Sequence, residues 1–145
     1  MSPNERLRDW KIFRESLIAS LSDIEILQRV ANYWTTVPMV KYYLDFDNPK
    51  SWPTPWELIH FGEFCPASVA YLMFKTLELA PAKRWQNNEI KIIRIKDLEM
   101  EDFHMLLVVD SQHVLNYFYG QVVELITLHQ SYEIICEYSC DTLLS

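Results

Sequence analysis

The chain has 145 residues, of which 50% are hydrophobic and 14% aromatic, enough to bury a core and too many for a disordered or low-complexity protein. Its net charge of −7 is unevenly distributed, because residues 101–145 contain acidic groups but no Lys or Arg. An acidic surface of this kind repels phosphate backbones, which argues against nucleic acid as the main partner.

Residues 1–45 are predicted to form a helical N-terminal extension. Ser2 and Pro3 suit the N-cap and the first position of a helix. Apolar residues then recur at helical spacing, namely Leu7, Trp10, Phe13, Leu17 and Leu21. Ser22 and Glu25 form a capping-box pattern, which predicts a second helix extending to about Trp34.

A proline-rich connector follows at residues 45–56, "DFDNPKSWPTPW", and cannot form a regular helix or a central strand. Thr54 is placed to cap a short helix, "PWELIHF", that ends at Gly62. The next helix is predicted to begin at Pro66 and to extend to about Ala80, with its apolar positions on one stripe.

The hydrophobic period changes to two after the polar loop "AKRWQNNE". Strands are predicted at residues 90–95, 103–109, 113–119 and 132–138. Residues 110–112, Asp-Ser-Gln, have turn chemistry, so the second and third strands should form a hairpin. Helices followed by an antiparallel sheet predict an α+β fold.

Cys65 is the first candidate for chemistry. Pro66 suits the first position of a helix, which places Cys65 at the N-cap. There its sulfur would face unpaired backbone N–H groups and the positive end of the helix dipole, an environment that favours a thiolate nucleophile. Alternatively, Cys65 is a small buried hydrophobic residue.

His104 and Asn116 are the candidate base and the candidate group that orients it. His104 lies inside "FHMLLVV", a segment apolar enough to be buried on both faces. A three-residue turn at 110–112 would pair Val109 with His113 and place His104 and Asn116 diagonally on one face, whereas a two-residue turn would separate them. The sequence permits the first register without requiring it, and His104 could also be a core histidine with a satisfied partner.

The remaining candidates are weaker. We expect His113 at the surface, a structural role for His60, and a solvated loop at Asp45 and Asp47. The other His and Cys residues, His129, Cys136 and Cys140, lack the spacing of a zinc site. No cofactor and no metal ion are expected.

Two stretches, "SWPTPWELIHFGEFCPASVAYLMFKTL" and "HMLLVVDSQHVLNY", resemble the bacterial transglutaminase-like cysteine proteinases of the papain-like/transglutaminase-like superfamily. In that family a Trp is followed by Thr-Pro and an acidic residue, and a Gly shortly precedes the catalytic Cys. A strand in which apolar residues follow a His comes next, and the third member of the triad follows a Val-Leu pair in the strand after it. The matching residues here are Trp52, Thr54, Pro55, Glu57, Gly62, Cys65, His104 and Asn116. The length of the chain suits one domain. The resemblance covers a core at residues 50–120, and a C-terminal strand and tail follow at 121–145.

The resemblance implies thiol acyl transfer, in which Cys65 attacks an amide carbonyl, His104 moves the proton and Asn116 holds the imidazole. The oxyanion is expected to meet the Cys65 backbone N–H and a donor from residues 52–60, such as the Trp56 indole; Trp56 and Phe64 are the expected oxyanion- or substrate-binding residues. Asn116 stands at the position of the third triad member, where the family more commonly has Asp. The flanking carboxylates that belong to the metal site in calcium-dependent relatives are replaced by Phe64 and Pro66, so no calcium is expected.

The leading hypothesis is therefore a thiol peptidase or amidase with a protein or peptide substrate; the same triad would serve a deamidase or a transglutaminase. Two alternatives remain open: a catalytically inactive domain that binds proteins, and an assembly subunit that docks through its N-terminal helices. The chain lacks an apolar run of membrane-spanning length, begins with a charged segment and has an odd number of cysteines. We expect a cytoplasmic protein without membrane contact.

Overall fold

Four α-helices pack on a five-stranded antiparallel sheet in the computed structural model, which describes residues 2–38, 44, 48–118, 120–128 and 132–138. The α+β fold predicted from the sequence is confirmed. Within those ranges the helices are α1 (Pro3–Glu15), α2 (Asp23–Tyr33), α3 (Pro55–Phe61) and α4 (Pro66–Leu79), and the strands are β1 (Ile90–Asp97), β2 (Asp102–Val109), β3 (His113–Leu115), β4 (Val123–Glu124) and β5 (Tyr132–Tyr138). None of these helices has the length and apolar character to span a bilayer.

The helix starts follow the predicted caps. The side chains of Ser2, Ser22 and Thr54 each accept a hydrogen bond from the backbone N–H three residues later. Helix α1 is shorter than predicted, because Ser16 donates its hydroxyl to the Phe13 carbonyl and competes with the helical pattern there. Leu17 lies beyond the helix end but is still fully buried.

The N-terminal helices hold the end of α3 in place. Arg6 donates from Nε to the Ile59 carbonyl (2.9 Å) and from Nη2 to the His60 carbonyl (2.7 Å), so it satisfies the C-terminal end of α3. Gly62 follows with φ of 75°, and a Cβ at this position would lie 2.8 Å from the Arg6 guanidinium. A glycine is therefore favoured where the chain turns from α3 toward α4.

The sheet has the strand order β4-β3-β2-β1-β5. Its register pairs Ile90 with Val109 and Val109 with His113, so the three-residue turn weighed for residues 110–112 is the one that forms. Helix α4 packs against the face of the sheet that carries Ile92, Met105, Leu107, Val109 and Leu115. We call this the helix face.

A separate apolar cluster covers the opposite face of the sheet, which we call the outer face. It consists of Ile93, Ile95, Leu106, Val108, Val114 and Leu128, with Tyr117, Val123, Leu125 and Tyr132 packed against it. Residues 105–109 are consequently buried on both sides, as their unbroken apolar sequence predicted.

The third strand is shorter than predicted. Strand β3 ends at Leu115 instead of continuing to residue 119, because Asn116 adopts the left-handed conformation with φ of 72°. The chain then leaves the sheet and returns as the two-residue strand β4, which was not predicted. On the N-terminal side of Leu107, this edge of β2 is bordered by the loop and not by a described strand.

Candidate active site

Cys65 lies where the sequence placed it, as the N-cap residue of α4 with Pro66 at the first helical position. The residue is completely buried, with 0% of its surface exposed. Its backbone N–H donates to the Ser68 hydroxyl oxygen (2.8 Å), and that hydroxyl donates in turn to the Cys65 carbonyl (2.9 Å). The N–H expected to help bind an oxyanion is thus already hydrogen-bonded to Ser68.

Asn116 connects the start of α4 to strand β2. Its side-chain Nδ2 donates to the Pro66 carbonyl (2.9 Å) and to the Met105 carbonyl (2.8 Å). Because Nδ2 donates to both carbonyls, the orientation of the Asn116 amide group is fixed. The Oδ1 atom accepts no hydrogen bond from the described residues, so it remains available as an acceptor.

His104 lies next to this junction on β2. It pairs with Ile95, so the two side chains share the outer face, whereas Cys65 belongs to the core on the helix face. The imidazole contacts the Tyr117 ring, with 4.9 Å between the ring centroids. Because β3 ends before this point, His104 lies at an edge of β2 that no strand covers.

A cavity of about 200 Å³ forms at that edge. Its lining residues come from α2, α4, β2 and the loop after β3: Ala31, Trp34, Pro66, Val69, Met73, Phe103, His104, Met105, Asn116, Tyr117, Phe118 and Gly120. The structure therefore brings His104 and Asn116 to one cavity, with Cys65 directly preceding Pro66 in the wall. In the part of the chain that is described, no hydrogen bond directly joins Cys65, His104 and Asn116.

A second cavity of about 440 Å³ lies between the N-terminal helices and the segment that leads to Cys65. Arg6, Asp9, Trp10, Tyr33, Trp34, Val37, Pro38, Ile59, Gly62 and Phe64 line it. Burial, and then the hydrogen bond from its hydroxyl to Asp9, raise the pKa of Tyr33 above its usual range, so this group stays a hydrogen-bond donor. Trp34 lines both cavities and separates them.

The two predicted binding aromatics have different environments. Phe64 is buried and faces Trp34 at a centroid distance of 6.0 Å. Trp56 is 47% exposed, with the edge of its ring packed against Trp10. Phe64 therefore lines the second cavity beside Cys65, whereas Trp56 lies on the outside of α3.

The minor candidates lie away from the cavity. His60 is exposed on α3, and Cys136 is half-buried on β5 with its thiol 3.2 Å from the Tyr138 hydroxyl. His113 is not the surface residue expected, since only 14% of its side chain is exposed and Nδ1 lies 3.4 Å from a Glu124 carboxylate oxygen. Asp45, Asp47, His129 and Cys140 lie outside the described residues.

Two residues near Cys65 were missed by the sequence reasoning. Ser68 stands three positions after the N-cap, the position from which a capping-box partner reaches back, so its spacing could have identified it. Trp34 gives no such signal, because it meets Phe64, the residue before Cys65, only through tertiary packing.

Comparison with known proteins identifies the architecture. No protein-family model matches the chain, and no curated protein matches it. Among solved structures, Legionella pneumophila LapG superposes with a TM-score of 0.70 at 16% identity, over 95% of this chain and 76% of LapG. Its calcium-bound form gives a TM-score of 0.72 at 15% identity, over 97% and 77% of the two chains.

The fold is that of LapG. At 15–16% identity, this likeness is one of fold. At this identity the LapG-like fold defines the arrangement of helices and sheet, and the chemistry must be argued from this chain's own residues.

The calcium-bound form of LapG raises the question of whether this LapG-like chain can hold a metal ion. Among its described residues, no three His, Cys, Asp or Glu side chains lie together in a group that could ligate one. No step of the proposed reaction uses a metal.

Proposed function

We propose that this chain is a cysteine-dependent acyl-transfer enzyme, a peptidase or amidase that acts on a protein or peptide. The observation that carries the proposal is the junction at the start of α4. Cys65 caps the helix, and Asn116 ties Pro66, the next residue, to the strand that carries His104. In support of the proposal, His104 and Asn116 line one cavity together with Pro66, the residue that follows Cys65.

In the proposed reaction, the Cys65 thiolate attacks the carbonyl carbon of an amide, and the electron pair of the C=O bond moves to oxygen. Collapse of this intermediate breaks the C–N bond, and His104 gives the leaving amine its proton. His104 then takes a proton from water, which hydrolyses the thioester and releases Cys65. Asn116 Oδ1, the free acceptor, receives the imidazole N–H while this occurs.

The proposal requires one local movement. His104 lies on the outer face against Tyr117 and Cys65 belongs to the core on the helix face, so the backbone of β2 around His104 must turn before the imidazole can reach the thiol.

The substrate follows from the cavity and the thiol. A volume of about 200 Å³ is below the roughly 300–1,000 Å³ of small-molecule sites, so it suits one side chain of a peptide better than a cofactor.

The predicted cytoplasmic location agrees with a free thiol, since that compartment keeps cysteines reduced. The N-terminal helices line the second cavity and could contact the rest of a protein substrate.

One set of observations favours a second candidate, a catalytically inactive domain that binds proteins. Cys65 is fully buried, and its backbone N–H is hydrogen-bonded to Ser68. The thiol of such a domain would be part of the core, and the cavities would serve only recognition.

Alkylation by iodoacetamide separates the two candidates. If the chain is an enzyme, Cys65 is expected to be alkylated faster than Cys136. His104→Ala is expected to slow the alkylation of Cys65 by about 100-fold, the lower end of the contribution of a general base. Peptide mass mapping over time measures both rates. His60→Ala is the matched control, because its exposed imidazole lies outside the cavity.

Slow and equal labelling of Cys65 and Cys136, unchanged by His104→Ala, would support the inactive domain. Thermal unfolding of each variant shows whether a change in labelling reflects loss of the fold.

A further inference from the structure

The second cavity, between the N-terminal helices and the segment before α4, takes no part in the proposed reaction. Its volume of about 440 Å³ falls within the roughly 300–1,000 Å³ of small-molecule sites. Most of its wall is aromatic or aliphatic, formed by Trp10, Tyr33, Trp34, Val37, Pro38, Ile59 and Phe64. Two charged side chains, Arg6 and Asp9, also line it. A ligand of this cavity therefore meets a largely apolar wall and one carboxylate.

Three of the rings form a continuous wall that ends at Asp9. Phe64, the residue before Cys65, contacts Trp34 with 6.0 Å between the ring centroids. Trp34 contacts Tyr33 at a centroid distance of 4.9 Å, and the two rings are nearly perpendicular. The Tyr33 hydroxyl donates to Oδ2 of Asp9 (2.7 Å). A wall of this kind suits a ligand with a long apolar stem and a cationic head.

Asp9 has the capacity to bind a cation. The ion pairs of the described residues do not include it, and its side chain is exposed. Its hydrogen bond to Tyr33 uses one of the two carboxylate oxygens. Because burial raises the pKa of Tyr33, the phenol keeps its proton and the negative charge stays on Asp9.

The positive charge of Arg6 is held at the end of α3. Its Nε donates to the Ile59 carbonyl (2.9 Å) and its Nη2 to the His60 carbonyl (2.7 Å). Carbonyl groups at the C-terminal end of a helix carry partial negative charge, which offsets the guanidinium. The chain as a whole has a net charge of −7, which also attracts cations. The cavity therefore favours a cationic ligand over an anionic one.

We propose that this cavity binds a lysine side chain of the protein substrate, with its methylenes along the wall of Phe64, Trp34 and Tyr33 and its ammonium on the Asp9 carboxylate. Lysine buries its apolar stem readily while its charged end stays near water, as the exposed position of Asp9 requires. As a statement about the substrate, this rests on the proposed acyl-transfer function. Binding itself needs no catalysis and is measured separately.

The test compares two blocked tripeptides, acetyl-Gly-Lys-Gly-amide and acetyl-Gly-norleucine-Gly-amide, which differ only in the ammonium group. Each is titrated into the full chain while NMR follows the backbone amide signals. The lysine peptide is expected to shift the signals of residues 6–10, 33–35 and 59–64. It should bind at least about tenfold more tightly than the norleucine peptide, because only the ammonium forms a charged hydrogen bond.

Asp9→Asn tests the carboxylate itself. The amide oxygen can still accept from the Tyr33 hydroxyl, so the variant should unfold at the wild-type temperature. It is expected to bind the lysine peptide about tenfold more weakly and the norleucine peptide equally well. Glu15→Gln is the matched control, since it removes an equal charge from an exposed position on α1 outside the cavity. It should leave both affinities unchanged.

Equal affinity of the wild type for the two peptides would overturn the proposal, as would an unchanged lysine affinity in Asp9→Asn. An equal loss of affinity in Glu15→Gln would assign the effect to the overall charge of the chain and not to this cavity. If the lysine peptide binds as expected but Cys65 does not react with iodoacetamide, the acyl-transfer function fails and the lysine site stands as a recognition site.

Discussion

Cys65→Ala is expected to reduce p-nitrophenolate release from p-nitrophenyl acetate to the background rate of the buffer. Removing the nucleophile of a catalytic triad costs more than removing any binding group, and we expect a loss of at least about 1,000-fold. The measurement is the initial rate of product release at equal concentrations of folded protein.

The matched control for this experiment is Cys136→Ala on strand β5. Its thiol lies against the Tyr138 hydroxyl and is absent from both cavities, so the rate should be unchanged. The assignment of the nucleophile would be contradicted if Cys65→Ala released p-nitrophenolate at the full rate, or if only Cys136→Ala lost this activity.

Asn116→Asp is expected to destabilise the fold by about 2–3 kcal/mol, although Asp is the commoner residue of the resembled family. Asp and Asn both tolerate a left-handed backbone, so the substitution isolates the side chain. The new carboxylate would face the carbonyls of Pro66 and Met105 without a donor for either. Urea unfolding measures the free-energy difference.

Asn32→Asp provides the comparison for that experiment. Asn32 is exposed and uses its Oδ1 to accept from Gln28, an interaction that a carboxylate keeps. Its free energy of unfolding should change by less than about 1 kcal/mol, the cost of a carboxylate in the last turn of α2. If Asn116→Asp proved as stable as the wild type, the two bonds from Nδ2 would not hold the start of α4 to β2.

The helix starts were predictable because caps are local. Ser22 with Glu25, Thr54 with Glu57, and Pro66 are recognised from residues no more than three positions apart. The same locality explains the correct placement of Cys65 at the N-cap. It also explains the excess length predicted for α1, since the periodic apolar residue Leu17 is buried without being helical.

Four of the five described strands were predictable in position but not in orientation. A segment such as 105–109 is apolar at every position, so alternation cannot tell which side chains meet the helices and which meet the outer cluster. The register at Val109 and His113 was one of two that the turn allowed. The outer-face position of His104 follows only from its pairing with Ile95.

The candidate site was only partly predictable, because its groups meet through tertiary packing. Asn116 was proposed to orient a histidine, but the structure shows its amide donors on two backbone carbonyls, a result of the left-handed turn that ends β3. Trp34 contributes from the helical extension, the part of the chain for which the sequence suggested no site residue. Contacts between distant segments leave no periodic signal.

The most direct test of the central claim, that Cys65 is the nucleophile of an acyl-transfer enzyme, is the detection of its thioester. The protein is mixed with p-nitrophenyl acetate, quenched in acid and examined by intact mass and peptide mapping. The account predicts one acetyl group on the peptide that contains Cys65, accumulating in the wild type and strongly reduced in His104→Ala. Acetylation confined to lysines or Cys136, with a folded protein and an unmodified Cys65, would contradict it.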